Sequence, residues 1–88
     1  MNPAPNLYHW RTHRGAEVDL LLERDGVFYP IEIKAGSQVS RKHTSGIQSF
    51  RRTYDAIRIA PGMIIAPIEK PLLLSETDVA VPWDIQLR

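Results

Sequence analysis

The sequence predicts an α/β domain built on a mixed sheet, in the order β-β-β-α-β with one or two further strands. Three observations carry this. An Asp25-Gly26 pair separates two apolar runs, which is the arrangement of a tight hairpin, because a type I′ turn needs two residues that tolerate positive φ. Within Val27–Ala35, Ile31 and Ile33 alternate with Glu32 and Lys34, as in a half-buried strand. Beyond it the period changes, and Ile47, Phe50, Tyr54 and Ile57 recur at helical spacing.

Taken in order, the residues before Asn6 include two prolines and read as a lead-in. Asn6–Thr12 is short and aromatic, a first strand, and Gly15 marks the turn after it. Glu17–Arg24 and Val27–Ala35 are the two arms of the hairpin. Ser40–Tyr54 is the helix, with Ser40 as its N-cap. Gly46 weakens that helix by about 1 kcal/mol relative to alanine. Gly62–Pro67 is a short apolar run between breakers, a buried strand. Leu72–Ser75 and Val79–Asp84 read as short edge strands, since Pro82 suits an edge better than a centre. A helix between the third strand and Gly62–Pro67 implies a right-handed parallel crossover.

Composition narrows the function classes. Eighty-eight residues make one domain, residues 1–88, and 43% hydrophobic with 24% charged residues is the balance of a folded chain. A formal net charge of +1 gives no global field for a polyanion, so any basic surface is local. With no cysteine, disulfides, thiol nucleophiles and cysteine-ligated zinc are excluded. The first ten residues lack the pattern of a signal peptide. Pro61, Pro67, Glu69, Lys70 and Pro71 break up the best candidate for a membrane span. The expectation is a cytoplasmic protein with no membrane partner.

The turn fixes what faces what. With Asp25 and Gly26 as loop residues, Leu22 faces Tyr29, Leu21 faces Pro30 and Leu20 faces Ile31. Continued, the count sets Asp19 against Glu32, Val18 against Ile33 and Glu17 against Lys34. One face then carries Val18, Leu20, Leu22, Val27, Tyr29, Ile31 and Ile33, suited to a core. The other carries Glu17, Asp19, Glu32 and Lys34 at the end far from the turn, with Leu21, Phe28 and Pro30 nearer to it. Leu21–Pro30 falls on a non-hydrogen-bonded rung, so Pro30 loses no bond to the second strand. Two facing carboxylates repel, and a divalent cation between them resolves the repulsion. Oxygen-only ligands suit magnesium or manganese. Lys34 would stabilise charge developing on a phosphate. The same count also admits a plain arrangement: a Glu17–Lys34 salt bridge, with Asp19 and Glu32 solvated.

Tyr8-His9-Trp10-Arg11, Gly15 to Asp19 ("GAEVD") and Pro30 to Lys34 ("PIEIK") together resemble the PD-(D/E)XK nuclease-like superfamily. They resemble more closely the uncharacterised C-terminal domain of bacterial and archaeal AAA-type ATPases. The likeness runs from about Leu7 to Pro67. It implies a restriction-endonuclease-like mixed sheet and metal-dependent hydrolysis of DNA phosphodiesters with Mg²⁺ or Mn²⁺. Asp19 and Glu32 match the metal-binding acids, with the backbone carbonyl of Ile33 as a further ligand. Lys34 matches the superfamily lysine, and Glu17 belongs to the "EVD" of the closer group. The superfamily core begins with a helix before the first strand, which this sequence lacks, so the chain reads as a piece of a larger protein. The face with Leu21, Phe28 and Pro30 would then lack cover, implying a homo-oligomer through that patch. The alternative is a non-catalytic regulatory or oligomerisation module of an AAA-type ATPase, acting in cis or in trans.

Other residues weigh less. His9 and His13 read as surface histidines, and no further signal supports a role for His43. Ser37 and Ser40 lack the partners of a nucleophile, and "KAGSQ" has too few glycines for a phosphate loop. Arg41, Ser45, Gln48 and Arg52 share one polar helix face flanked by Lys42 and Arg51. That face is either solvated or tracks phosphates, with Arg41, Lys42, Gln48 and Arg52 as nucleic-acid contacts and Gln48 facing away from Glu32. Trp10 and Trp83 are expected in packing.

Overall fold

The computed structural model describes residues 4–83. It contains β1 (Asn6–Arg11), β2 (Glu17–Arg24), β3 (Val27–Ile33), a 3-10 turn over Arg41–Thr44, α1 (Ser45–Thr53), β4 (Arg58–Ile59), β5 (Gly62–Ala66), β6 (Leu72–Leu73) and β7 (Asp78–Pro82). All seven strands share one sheet, ordered β1-β2-β3-β5-β7-β6, with β4 paired to β3. β1, β2 and β3 run antiparallel, while β5 is parallel to β3 and β7 is parallel to β5. The mixed sheet and the parallel crossover through the helix are therefore as the sequence predicts.

The hairpin register is also as counted. Arg24 pairs with Val27, Leu22 with Tyr29, Leu21 with Pro30 and Leu20 with Ile31. Asp25 and Gly26 have φ of 55° and 80°, the positive values a type I′ turn requires.

Four expectations need correction. The helix is not continuous from Ser40: a 3-10 turn precedes it, and α1 begins at Ser45. Ser40 starts that turn, and its backbone N–H donates to His43 Nδ1 at 3.0 Å, so a histidine side chain supplies the acceptor. β4, unforeseen, lies along β3 ahead of β5 on the same side. The two are split at Ala60-Pro61, where Ala60 still donates to the Phe28 carbonyl at 2.8 Å and proline has no N–H to give. β7 is not an edge strand but lies between β5 and β6. β6 covers only Val79 and Ala80, so Pro82 sits at an end that β6 does not flank. Asp84, the last residue of the expected tail strand, lies outside the described residues.

The fourth correction concerns the faces. The buried cluster is Val18, Leu21, Ile47, Phe50, Ile64, Leu74 and Ala80. Leu21 and Pro30 are buried, and Phe28 packs against the cluster. The helix therefore lies on the face that carries Leu21, Phe28 and Pro30, and the expected uncovered patch is the core. The reason is the apolar stripe of α1: Ile47 and Phe50 are 0% and 2% exposed, and only this face also holds the small and apolar residues Ile64, Ala66 and Ala80. The alternate face, expected to be core, keeps Ile33 54% and Tyr29 40% exposed.

Val18 is an exception to strict alternation, since it is buried together with Leu21, three positions on. A bulge makes this possible. β1 pairs Tyr8 with Leu21 and Trp10 with Val18, so His9 stands opposite both Asp19 and Leu20. The extra residue in β2 reverses the parity of the strand.

Gly46 has a packing role. A Cβ there would overlap the Glu17 carbonyl oxygen, so the first turn of α1 rests directly on the β2 backbone. Trp10 packs edge-on against Phe50, with ring centroids 5.3 Å apart, in keeping with its expected place in packing.

Candidate functional site

The bulge at Asp19 decides the geometry of the acidic cluster. Regular pairing of β2 with β3 stops at Leu20–Ile31. The expected rungs Asp19–Glu32, Val18–Ile33 and Glu17–Lys34 do not form as ladder pairs. In their place, the Asp19 N–H donates to Glu32 Oε1 at 2.8 Å, and the Ile33 N–H donates to Asp19 Oδ2 at 2.9 Å. Each carboxylate takes a backbone donor of the opposite strand that the ladder no longer serves. The two acids are thus brought together as counted, though by side-chain-to-backbone bonds.

β3 reaches the site through its other neighbour. Glu32 pairs with Ile64 and Ile33 with Ile65, and the Lys34 N–H donates to the Ile65 carbonyl at 2.8 Å. The backbone of the "EIK" segment is therefore held rigidly from the β5 side while it opens towards β2.

The charges of the cluster act on one another. Burial first, and then the negative charges of Asp19 and Glu17, push the Glu32 carboxyl up to about 7. The hydrogen bond from Asp19 and the charge of Lys34 oppose this without cancelling it. A carboxyl that titrates near neutrality can either carry a proton or, deprotonated, hold a cation. Desolvation, followed by the charges of Lys34 and Lys42, holds the His43 imidazole below its usual range. Lys34 therefore influences both Glu32 and His43.

Glu17 does not pair with Lys34. Its Oε2 accepts from Arg11 at 3.3 Å and lies 3.5 Å from His9 Nε2. The plain arrangement of a Glu17–Lys34 salt bridge is thereby set aside. His9 also places Nδ1 3.3 Å from the Asp19 carbonyl, so its ring spans the bulge from Glu17 to Asp19. Sequence reasoning missed this role, because nothing in the spacing of His9 announces a bulge opposite it.

Among the described residues, no three His, Asp or Glu side chains converge as a cage for a metal ion. Asp19, Glu32 and the Ile33 carbonyl are hard oxygen donors, which fit magnesium or manganese and leave the rest of the shell to water or substrate oxygens.

The basic candidates divide. Arg41, Lys42 and Arg52 are exposed, as a phosphate-tracking surface needs. Gln48 is half-buried and donates to Asp78 Oδ2 at 2.9 Å, so it is a packing partner away from the acidic cluster. Arg51, expected to flank the polar face, instead forms a buried ion pair with Asp78 at 2.6 Å. Asp78 is fully buried and also accepts from Gly62 at 2.8 Å. Burial pushes its carboxyl up, but the bonds from Arg51 and Gly62 outweigh that and hold it below the ordinary value. A shallow groove of about 280 Å³ runs between Arg41 and Gln48 on one side and Ser75, Glu76 and Thr77 on the other.

Comparison with known proteins gives a family without an assigned activity. The model of a domain of unknown function, DUF4143, matches residues 1–85. An uncharacterized protein of Mycobacterium tuberculosis and one of Mycobacterium bovis are each 42% identical over 82 residues, covering 92% of this chain. The chain spans 18% of the length of these curated relatives. No solved structure matches it. No helix among the described residues is long and apolar enough to cross a membrane.

Proposed function

The chain belongs to the DUF4143 family, and we propose that it carries a PD-(D/E)XK-type site for metal-dependent hydrolysis of DNA phosphodiesters. The observation that supports this is the pairing of Asp19 and Glu32 across an opened hairpin, next to Lys34, with the Glu32 carboxyl raised to about 7. A structure selected for stability alone would avoid two adjacent acids.

Asp19, Glu32 and the Ile33 carbonyl would hold a magnesium or manganese ion, which supplies Lewis-acid polarisation of the phosphate and acidifies an attacking water. The backbone bonds that pin one oxygen of each acid fix the direction of the other. Glu32 gives up its proton when the cation is bound, so binding releases protons near neutral pH. Lys34 neutralises charge that builds on the phosphoryl oxygens. Arg41, Lys42 and Arg52 contact the flanking backbone of the DNA. Glu17, tied to Arg11 and His9, acts by orienting the bulged strand at Asp19.

The test is incubation of the chain with Mg²⁺ or Mn²⁺ and supercoiled, linear, single-stranded and branched DNA. Cleavage that Asp19→Ala abolishes and Lys34→Ala lowers by about 10²–10³-fold is the expected result. No cleavage of any form sinks the catalytic reading for this chain.

A second reading is a non-catalytic regulatory or oligomerisation module of an AAA-type ATPase, present in cis or in trans. The small share of the relatives' length that the chain spans favours it. Calorimetric titration with Mn²⁺ separates the two: binding lost in Asp19→Asn supports the site, and no binding supports the module.

A further inference from the structure

Asp19 stands in neither ladder of its strand. The β1 register passes from Tyr8–Leu21 to Trp10–Val18, and the β3 register stops at Leu20–Ile31. A bulged peptide still needs partners for its N–H and its carbonyl. Side chains supply them from both sides. Glu32 of β3 accepts the Asp19 N–H at 2.8 Å, and His9 of β1 sets its Nδ1 3.3 Å from the Asp19 carbonyl. A carbonyl oxygen only accepts, so Nδ1–H is the donor.

The other end of the His9 ring is held as well. Its Nε2 lies 3.5 Å from Glu17 Oε2, the same oxygen that accepts from Arg11 at 3.3 Å. Arg11 pairs with Glu17 in the ladder, so the run from Arg11 through Glu17 and His9 to the Asp19 carbonyl stitches β1 to β2 across the bulge. The His9 side chain is 52% exposed, and contacts of this kind add little to global stability. What they do is fix one peptide plane. That plane bears on the Asp19 carboxylate, whose Oδ2 accepts the Ile33 N–H at 2.9 Å. If the Asp19 carbonyl swings away, the backbone turns at the Asp19 Cα and draws the carboxylate off Ile33.

We infer that His9 is a positioning residue for Asp19. It holds the bulged peptide in the orientation that keeps Oδ2 on the Ile33 N–H and leaves the second oxygen for a divalent cation. The inference rests on the reading of Asp19 as a metal ligand. His9 acts only through the Asp19 backbone, as an outer partner that orients a ligand.

Two measurements test it, and they separate its failure from that of the metal reading. The first is amide hydrogen exchange in chelator, with no metal present. His9→Phe should speed exchange at the Asp19 and Ile33 N–H groups about tenfold or more and leave the core amide of Ile64 unchanged. His9→Asn, whose side-chain amide nitrogen stands where Nδ1 does, should restore the protection. His9→Gln, whose amide nitrogen stands where Nε2 does, should not. The second is calorimetric titration with Mn²⁺, where His9→Phe should weaken binding about tenfold and His9→Asn should recover it. Unchanged protection in His9→Phe overturns the inference. So does rescue by glutamine in place of asparagine, which would give the role to the Glu17 contact, and so does equally fast exchange at Ile64, which would make His9 a general support of the fold. Mn²⁺ binding that His9→Phe leaves intact overturns it too. A wild-type chain that binds no Mn²⁺ sinks the metal reading, and with it the part of the inference that concerns a cation, whatever the exchange data show.

Discussion

Glu32 accepts the backbone N–H of Asp19 at 2.8 Å, so the second acid of the cluster is anchored to the strand that bears the first. The bond survives replacement by glutamine, whose carbonyl oxygen accepts equally well, but the charge does not. This separates the electrostatic from the structural role of Glu32. The folded carboxyl titrates at about 7 against an ordinary 4.5. Between these values the folded chain keeps a proton that the unfolded chain has lost, so stability falls as pH rises through this window. Glu32→Gln removes that loss. It should leave stability unchanged at pH 4.5 and raise it at pH 8 by about 1–2 kcal/mol, after allowance for solvent screening of a half-exposed group. Urea denaturation at the two pH values measures this. Equal effects at both would show that Glu32 is not strained by its charge.

Glycine 46 should resist the substitution that helix propensity favours. Alanine in a helix interior is worth about 1 kcal/mol over glycine. Here a Cβ would run into the Glu17 carbonyl oxygen, a backbone atom with no rotamer to escape to. Gly46→Ala should therefore destabilise the chain by about 2 kcal/mol net, seen as a lower urea midpoint. A stabilised variant would mean that α1 does not sit on β2 as described.

The same contact shows where sequence reading stops. Asp25-Gly26 is a local signal, and it correctly set the register from Arg24–Val27 to Leu20–Ile31. The pairing of Asp19 with Glu32 followed from it in substance. The bulge did not, because its cause is the burial of both Val18 and Leu21 beneath a helix that comes later in the chain. The choice of face failed for a related reason. Both faces of the hairpin are apolar, and alternation cannot say which one a distant helix will cover. Gln48 and Arg51 read as polar-face residues because their partner, Asp78, lies 30 and 27 positions away.

Asp78 is the fixed point of the second half of the fold. Arg51 of α1, Gln48 of α1 and Gly62 of β5 all donate to one buried carboxylate on β7. Asp78→Asn leaves the Arg51 guanidinium without its counter-charge and should cost about 3–5 kcal/mol in thermal or urea unfolding. Its depressed folded value also gives a pH dependence. The contribution is full above the ordinary 3.8 and is lost as pH falls through the lower folded value. Acid unfolding of the wild type should accordingly set in below about pH 4. An Asp78→Asn variant as stable as the wild type would show the ion pair to be dispensable.

His43 offers a check on the environment of Lys34. Its imidazole is held below the usual 6.5 by desolvation and by the charges of Lys34 and Lys42, while Nδ1 accepts from Ser40. Between the two values the unfolded chain binds a proton that the folded chain refuses, so stability falls as pH drops below 6.5. Nuclear magnetic resonance titration should place the His43 midpoint below the usual 6.5. Lys34→Gln should move His43 upward. No movement would mean that the Lys34 ammonium lies elsewhere than beside this ring.

Lys34 itself distinguishes a catalytic cluster from an idle one. Its charge opposes the approach of a cation but also lowers Glu32 towards the ionised form that a cation needs. At pH 8.5 Glu32 is ionised with or without it, so only the repulsion remains. Lys34→Ala should then bind Mn²⁺ as tightly as wild type or more tightly. Cleavage of DNA under the same conditions should fall by about 10²–10³-fold, the usual cost of losing a group that stabilises developing charge. Asp19→Asn should lose both binding and cleavage. If Lys34→Ala loses Mn²⁺ binding in step with activity at pH 8.5, the lysine is holding the site together, and its role towards the phosphate falls.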